Sequence, residues 1–228
     1  MSDAVVIASR YNGPPGSGNG GYCSGRFASA AGLGAQTAIE VTLRRPPPLE
    51  VEIERRVDDG QVGFWAGDTL IAQVGPADPA PAELVEAVGW DEAVAASAHY
   101  PGLVTHPFPT CFVCGTQRAP GDGLRLFPGR LPDGRTATPF LVPPDICPEL
   151  VWAALDCPGG WAVPLEGRPY VLGRLAVTIL GLPQAGQRCV VMGAMTGEDG
   201  RKAFTRTSLY APDGQPLAVA RATWLALS

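Results

Sequence analysis

Leu175-Ala176-Val177-Thr178-Ile179-Leu180, in the second half of this 228-residue chain, echoes Ala38-Ile39-Glu40-Val41-Thr42-Leu43 in the first. Both stretches are rich in β-branched and aliphatic residues that fit a strand. The surroundings echo as well. One copy leads into Pro46–Pro48 and the other into Leu182-Pro183, each followed by a further strand candidate. Asp59-Gly60-Gln61 and Asp199-Gly200-Arg201 then occupy matching places, and Gly67-Asp68 and Asp213-Gly214 close each set with a hairpin turn. Self-similarity on this scale signals an internal repeat. Each copy predicts a short helix followed by a four-stranded antiparallel meander, with the helix covering one face of a curved sheet.

In the first half, strands are expected over Val5–Ala8, Thr37–Leu43, Glu50–Val57, Gln61–Trp65 and Thr69–Val74. A small-residue helix is expected over Gly21–Ala31, and a longer helix over Glu83–Ala98 behind Pro81. In the second half the strands are Leu124–Phe127, Thr136–Val142, Tyr170–Leu182, Arg188–Met195, Lys202–Tyr210 and Leu217–Leu227. The helix there is Pro148–Asp156, stopped by Pro158-Gly159-Gly160. Residues 1–99 and 123–228 form the two halves, and the Pro- and Gly-rich segment 100–122 is a linker or ordered surface loop.

Composition narrows the chemistry. A chain with 46% hydrophobic residues can bury a substantial core, and 29 glycines with 24 prolines predict many turns and few long helices. Seventeen basic against 22 acidic residues give a formal charge of -5, a poor match for nucleic-acid phosphates, so no nucleic-acid partner is expected. No apolar run is long enough to span a membrane as a helix, and Asp3 stands where a signal peptide would be basic. A cytoplasmic setting is therefore expected, with Cys23, Cys111, Cys114, Cys147, Cys157 and Cys189 as thiols. The two histidines, His99 and His106, leave little room for histidine-based catalysis.

Several motifs compete for a role. Gly13-Pro14-Pro15-Gly16-Ser17-Gly18-Asn19-Gly20 imitates a phosphate loop, but Asn19 and Gly20 stand where lysine and a hydroxyl are needed. Cys111-Phe112-Val113-Cys114-Gly115 has the spacing of half a zinc site. No second close pair accompanies it, so buried thiols shaping a loop are expected and no metal. Asp156 follows a short helix beside Leu155, with Trp152 one turn earlier. Burial and the negative helix end should both raise its pKa, a common preparation for general-base work, although an Asp before Pro-Gly also serves simply to end a helix. Gly20 and Gly21 at a helix start can point N–H groups at developing negative charge, or form only a tight packing turn with Gly25 and Ala28, the better reading of the pair alone. Arg118, Arg125, Arg130 and Arg135 form a locally basic stretch that could meet phosphate oxygens, though such a cluster is more often a solvated face.

Taken together these residues resemble the hotdog thioesterase superfamily, in its duplicated form. Gly20–Gly25 with Ala30-Ala31 is similar to the first helix of type II acyl-CoA thioesterases. Cys111–Gly115 with Gly123-Leu124-Arg125-Leu126 resembles the entry segment of phenylacetate-pathway-type thioesterases. Leu155-Asp156 matches the place of the type II catalytic aspartate. The run Ser208–Tyr210, Asp213-Gly214 and Leu217–Ala220 resembles the closing hotdog strands. The resemblance implies an α+β double hotdog: two antiparallel curved sheets, each wrapping a helix, joined as a pseudo-dimer. It implies hydrolysis of an acyl-CoA or related thioester without a cofactor, or binding of such a thioester without hydrolysis, and a possible homo-oligomer. Asp156 and Thr223 are then the expected catalytic residues. Thr223 stands where the type II family carries a glutamine, and Asn19-Gly20-Gly21 replaces the hotdog His-Gly-Gly. Asn19, Gly20, Gly21, Trp152 and Arg125 are the expected substrate contacts. The first half lacks a carboxylate at the end of its helix, so one working site per chain is expected.

Overall fold

The computed structural model describes residues 4–33, 38–78, 84–164 and 168–227. Asp3, Thr37, Pro81 and Glu83, which entered the expectations above, lie outside them. Eleven strands form one antiparallel sheet: β1 (Ala4–Val6), β2 (Ile39–Leu43), β3 (Glu52–Asp58), β4 (Gln61–Ala66), β5 (Thr69–Pro76), β6 (Gly129–Arg130), β7 (Thr136–Leu141), β8 (Tyr170–Ile179), β9 (Arg188–Asp199), β10 (Lys202–Tyr210) and β11 (Pro216–Ala226). Their order is β1-β3-β4-β5-β2-β8-β11-β10-β9-β7-β6. The two echoed stretches pair with each other at the centre, Ile39 opposite Val177 and Thr42 opposite Arg174. Leaving β6 aside, the order from each outer edge to this seam repeats: β1-β3-β4-β5-β2 on one side, β7-β9-β10-β11-β8 on the other.

Helix α1 (Gly20–Ala30) and the consecutive helices α3 (Pro148–Ala154) and α4 (Cys157–Ala162) contribute buried residues to one main core. Alternation on β11 shows how the sheet faces it: Ala218, Ala220, Ala222, Trp224 and Ala226 are buried, while the residues between them are half-buried. The helices approach closely because glycine permits it. A Cβ on Gly21 would lie 2.5 Å from the Asp156 Cβ, and one on Gly25 would lie 2.8 Å from the Glu149 Cα.

Four expectations need correction. The helix expected over Glu83–Ala98 is α2 (Trp90–Ser97), with Gly89 as its N-cap residue. Residues 84–89 stay non-helical, with the Val85 N–H donating to Ser208 Oγ at 3.0 Å and Tyr210 Oη donating to the Val85 carbonyl at 2.6 Å. The Leu124–Phe127 stretch is not a strand. Positive φ at Gly123 and Arg125 breaks the extended run, and Leu124 and Leu126 bond the carbonyls of Phe112 and Val113 instead. Pro158-Gly159-Gly160 does not end helical structure, since it lies within α4, with Pro158 in the first turn where a missing N–H costs nothing. The 100–122 segment is not wholly a surface loop either: residues 111–114 sit in the main core, tied to the first half by the Phe112 N–H on the Asn12 carbonyl at 2.8 Å. No helix among the described residues is long and apolar enough to cross a membrane.

Candidate functional site

Asp156 sits at the joint between α3 and α4 and is 2 % exposed. Its carboxylate does not cap α4; it reaches across to the start of α1. There Oδ2 accepts the Gly21 N–H at 2.9 Å and the Asn19 Nδ2 amide at 2.8 Å. Asn19, itself 3 % exposed, holds that pose because it is the N-cap of α1, its Oδ1 accepting the Tyr22 N–H at 2.8 Å. Oδ1 of Asp156 is buried with no hydrogen-bond partner among the described residues. Burial is the largest cause holding the carboxyl up to about 7; the nearby Cys111 adds to the rise, and the bonds from Gly21 and Asn19 oppose it. The expected push from a helix C-terminus is offset, because Asp156 also faces the start of α1 and begins α4.

The carboxylate forms part of the wall of a cavity of about 340 Å³. Gly13–Gly18, the loop that imitates a phosphate site, supplies Pro14, Pro15 and Gly18 to the wall; Phe108, Leu172 and Trp224 are among its apolar residues. The exposed Arg44 and Arg45, from the segment after β2, are the cations of its lining. Gly20 also lines it, and as the first residue of α1 its N–H has no intrahelical carbonyl to bond.

Asn19, Gly20, Gly21 and Asp156 are therefore brought together. The others are not. The Gly21 N–H is committed to Asp156, so of the glycine pair Gly20 is the one offered to a ligand. Trp152 is buried in the α1–α3 contact, its Cβ 2.9 Å from where a Gly25 Cβ would be. Thr223 falls on the outer face of β11, since its neighbour Trp224 takes the inner one, and it lines a separate depression with Glu40 and Arg174. Arg125 donates to the Arg118 carbonyl and lies over the Phe127 ring, outside the cavity lining. Arg118 is spent on Asp122, Arg130 on the Val163 carbonyl, and Arg135 on Asp133.

Two features escaped the sequence reading. Arg44-Arg45 carries no local signature of a rim, standing between the end of β2 and Pro46. Cys157 joins Cys111 and Cys114 in a buried cluster whose sulfur atoms all lie within 4.8 Å of one another. Within it the Cys111 thiol is pushed well below its ordinary pKa by hydrogen bonds from Cys114 and Cys157, while Cys114 and Cys157 are pushed well above theirs, Cys114 chiefly by burial and Cys157 chiefly by the Cys111 bond.

No protein-family model and no curated protein sequence matches this chain. Solved structures do. The tesB protein of Mycobacterium avium subs. paratuberculosis superposes at a TM-score of 0.65 with 12% identity, covering 99% of this chain and 92% of that one. A hot dog fold protein from Alicyclobacillus acidocaldarius gives 0.59 and 14% over 99% and 92%. Acyl-CoA thioesterase II TesB2 from Mycobacterium marinum gives 0.57 and 13% over 98% and 92%. The chain has the hotdog fold of these structures, in an α+β arrangement built on one open antiparallel sheet.

Proposed function

We propose that this chain hydrolyses acyl thioesters of the coenzyme A class at the cavity beside Asp156. The observation that carries the reading is the division of labour between the two carboxylate oxygens. Oδ2 is fixed by Gly21 and Asn19, and Oδ1 is left unpartnered at a cavity wall. An unpaired buried acceptor is costly unless something arrives to use it, and a water donating to Oδ1 is the natural occupant. In the proposed reaction that water attacks the thioester carbonyl carbon as Asp156 takes its proton. The Gly20 N–H, at the positive end of α1, faces the oxyanion. The carbon–sulfur bond then breaks. The departing thiolate, with a pKa near an ordinary thiol's of about 8.5, leaves with little acid assistance.

The apolar wall suits an acyl chain, and Arg44 and Arg45 suit the phosphates of coenzyme A. The repeated strand order supports reading the molecule as two hotdog units, 1–99 and 123–228, joined at the β2–β8 seam as a pseudo-dimer. That one fold neighbour is an acyl-CoA thioesterase II supports the substrate class.

Replacing Asp156 with Asn preserves the acceptor for Gly21 and Asn19 and removes the base. The expected outcome is a fall of about 10²–10⁴ in kcat, read as thiol released from a panel of acyl-CoAs, with the melting temperature retained. Thr223→Val, on the outer face, is the matched control and should keep the wild-type rate. A wild-type protein inactive on short, medium and long acyl chains would overturn the reading. A second reading, thioester binding without hydrolysis, draws on the position of Thr223, which leaves the expected partner hydroxyl away from the water site. It predicts thermal stabilisation by acyl-CoA with no product.

A further inference from the structure

The loop after residue 110 brings three sulfur atoms to one point from two distant places in the chain. Cys111-Phe112-Val113-Cys114-Gly115 forms a tight turn in which the Gly115 N–H returns to the Cys111 carbonyl at 2.9 Å. A Cβ on Gly115 would lie 2.4 Å from that carbonyl oxygen, so the turn requires glycine. Cys157, in the first turn of α4, meets this loop with its sulfur 3.9 Å from that of Cys111. The Asn19 amide lies 3.8 Å from the Cys111 sulfur.

Thiols are weak hydrogen-bond groups, and three of them buried with their sulfurs within 4.8 Å of one another gain little from that contact. Thiolates bridged by a cation would gain much more, because the cation and the Asn19 amide then meet negative charge in a buried place. The Cys111–Cys157 spacing agrees. Zinc–sulfur bonds of about 2.3 Å at tetrahedral angles place sulfurs about 3.8 Å apart, against the 3.9 Å between Cys111 and Cys157. We propose that Cys111, Cys114 and Cys157 bind one thiophilic divalent ion, zinc by the chemistry of an all-thiolate set. All three cysteines line the cavity, so the fourth tetrahedral position faces it. The three thiols lose their protons to solvent on binding, and no bond is oxidised or reduced.

This inference does not depend on thioester hydrolysis, because metal content is read without substrate. The test uses the full chain, reduced with a sulfur-free phosphine and stripped with chelator, then titrated anaerobically with cobalt(II). The expected result is an intense sulfur-to-cobalt charge-transfer band in the near ultraviolet. It should saturate at one equivalent per chain and vanish on adding zinc chloride. Cys157→Ser should weaken cobalt binding by more than the 10–100-fold typical of losing an outer-shell partner. Cys147→Ser, outside the cluster, should match the wild type. A wild-type chain that develops no charge-transfer band overturns the proposal, as does a folded Cys157→Ser protein that binds as tightly as wild type. Should Cys157→Ser fail to fold, the wild-type titration alone decides.

Discussion

Asp156 shows how a single side chain can be both anchored and available. Asn19 does two jobs in that arrangement, capping α1 through Oδ1 and holding Asp156 through Nδ2. The same scale governs recognition at the rim. Arg44 is braced by its Nε on Gln73 Oε1 at 2.8 Å, and Arg45 leans on the Arg44 carbonyl at 3.2 Å. Exposed ionic contacts are each weak, so the double change Arg44→Ala with Arg45→Ala should raise KM for acyl-CoA about threefold to tenfold and leave kcat unchanged. The increase should shrink at high salt and disappear with a truncated thioester lacking phosphates. Steady-state kinetics on the two substrates at two ionic strengths check this.

At the scale of elements, strands were the most legible. Period-2 burial on β11 follows the sequence, and the hairpin turns at Gly67-Asp68 and Asp213-Gly214 fall between paired strands. Helices were less legible where tertiary bonds override local preference. Val85 is claimed by Ser208 and Tyr210, which lie far along the chain, so residues 84–89 cannot join α2. Pro158-Gly159-Gly160 looks like a terminator to local rules, yet it lies within α4, where Thr205 and Thr207 of β10 and Trp224 of β11 leave no room for side chains at the two glycines. The candidate site divided similarly. Asp156 with Asn19-Gly20-Gly21 was readable because a helix start and a helix end carry local signatures. The displacement of Thr223 was not, since it turns on which face of β11 is buried. The α1–α3 contact yields its own prediction. Gly25→Ala places a methyl carbon 2.8 Å from the Glu149 Cα and 2.9 Å from the Trp152 Cβ, so overpacking should cost about 1–3 kcal/mol, measured by chemical denaturation. An unchanged midpoint would mean the helices have room to part.

Across the whole molecule the two sides of the seam match in strand order but not in chemistry. The end of α1 is Ala30-Ala31-Gly32, with no carboxylate where the other side has Asp156. One productive site per chain is the expected outcome. Calorimetric titration with a non-hydrolysable acyl-CoA thioether should give a stoichiometry of one, and a value of two would show that the carboxylate is dispensable for binding. The absence of Cβ atoms along α4 reaches further. At Gly159 a methyl would meet the hydroxyl of Thr205 at 2.8 Å, and at Gly160 the Trp224 ring at 2.7 Å. Those two bare positions set the depth at which α4 is seated, and with it where Asp156 and Cys157 come to rest. A larger residue at either would act as a wedge, lifting the carboxylate away from Gly21 and the sulfur away from Cys111 together, so both proposed chemistries hang on a spacing kept by residues that take part in neither.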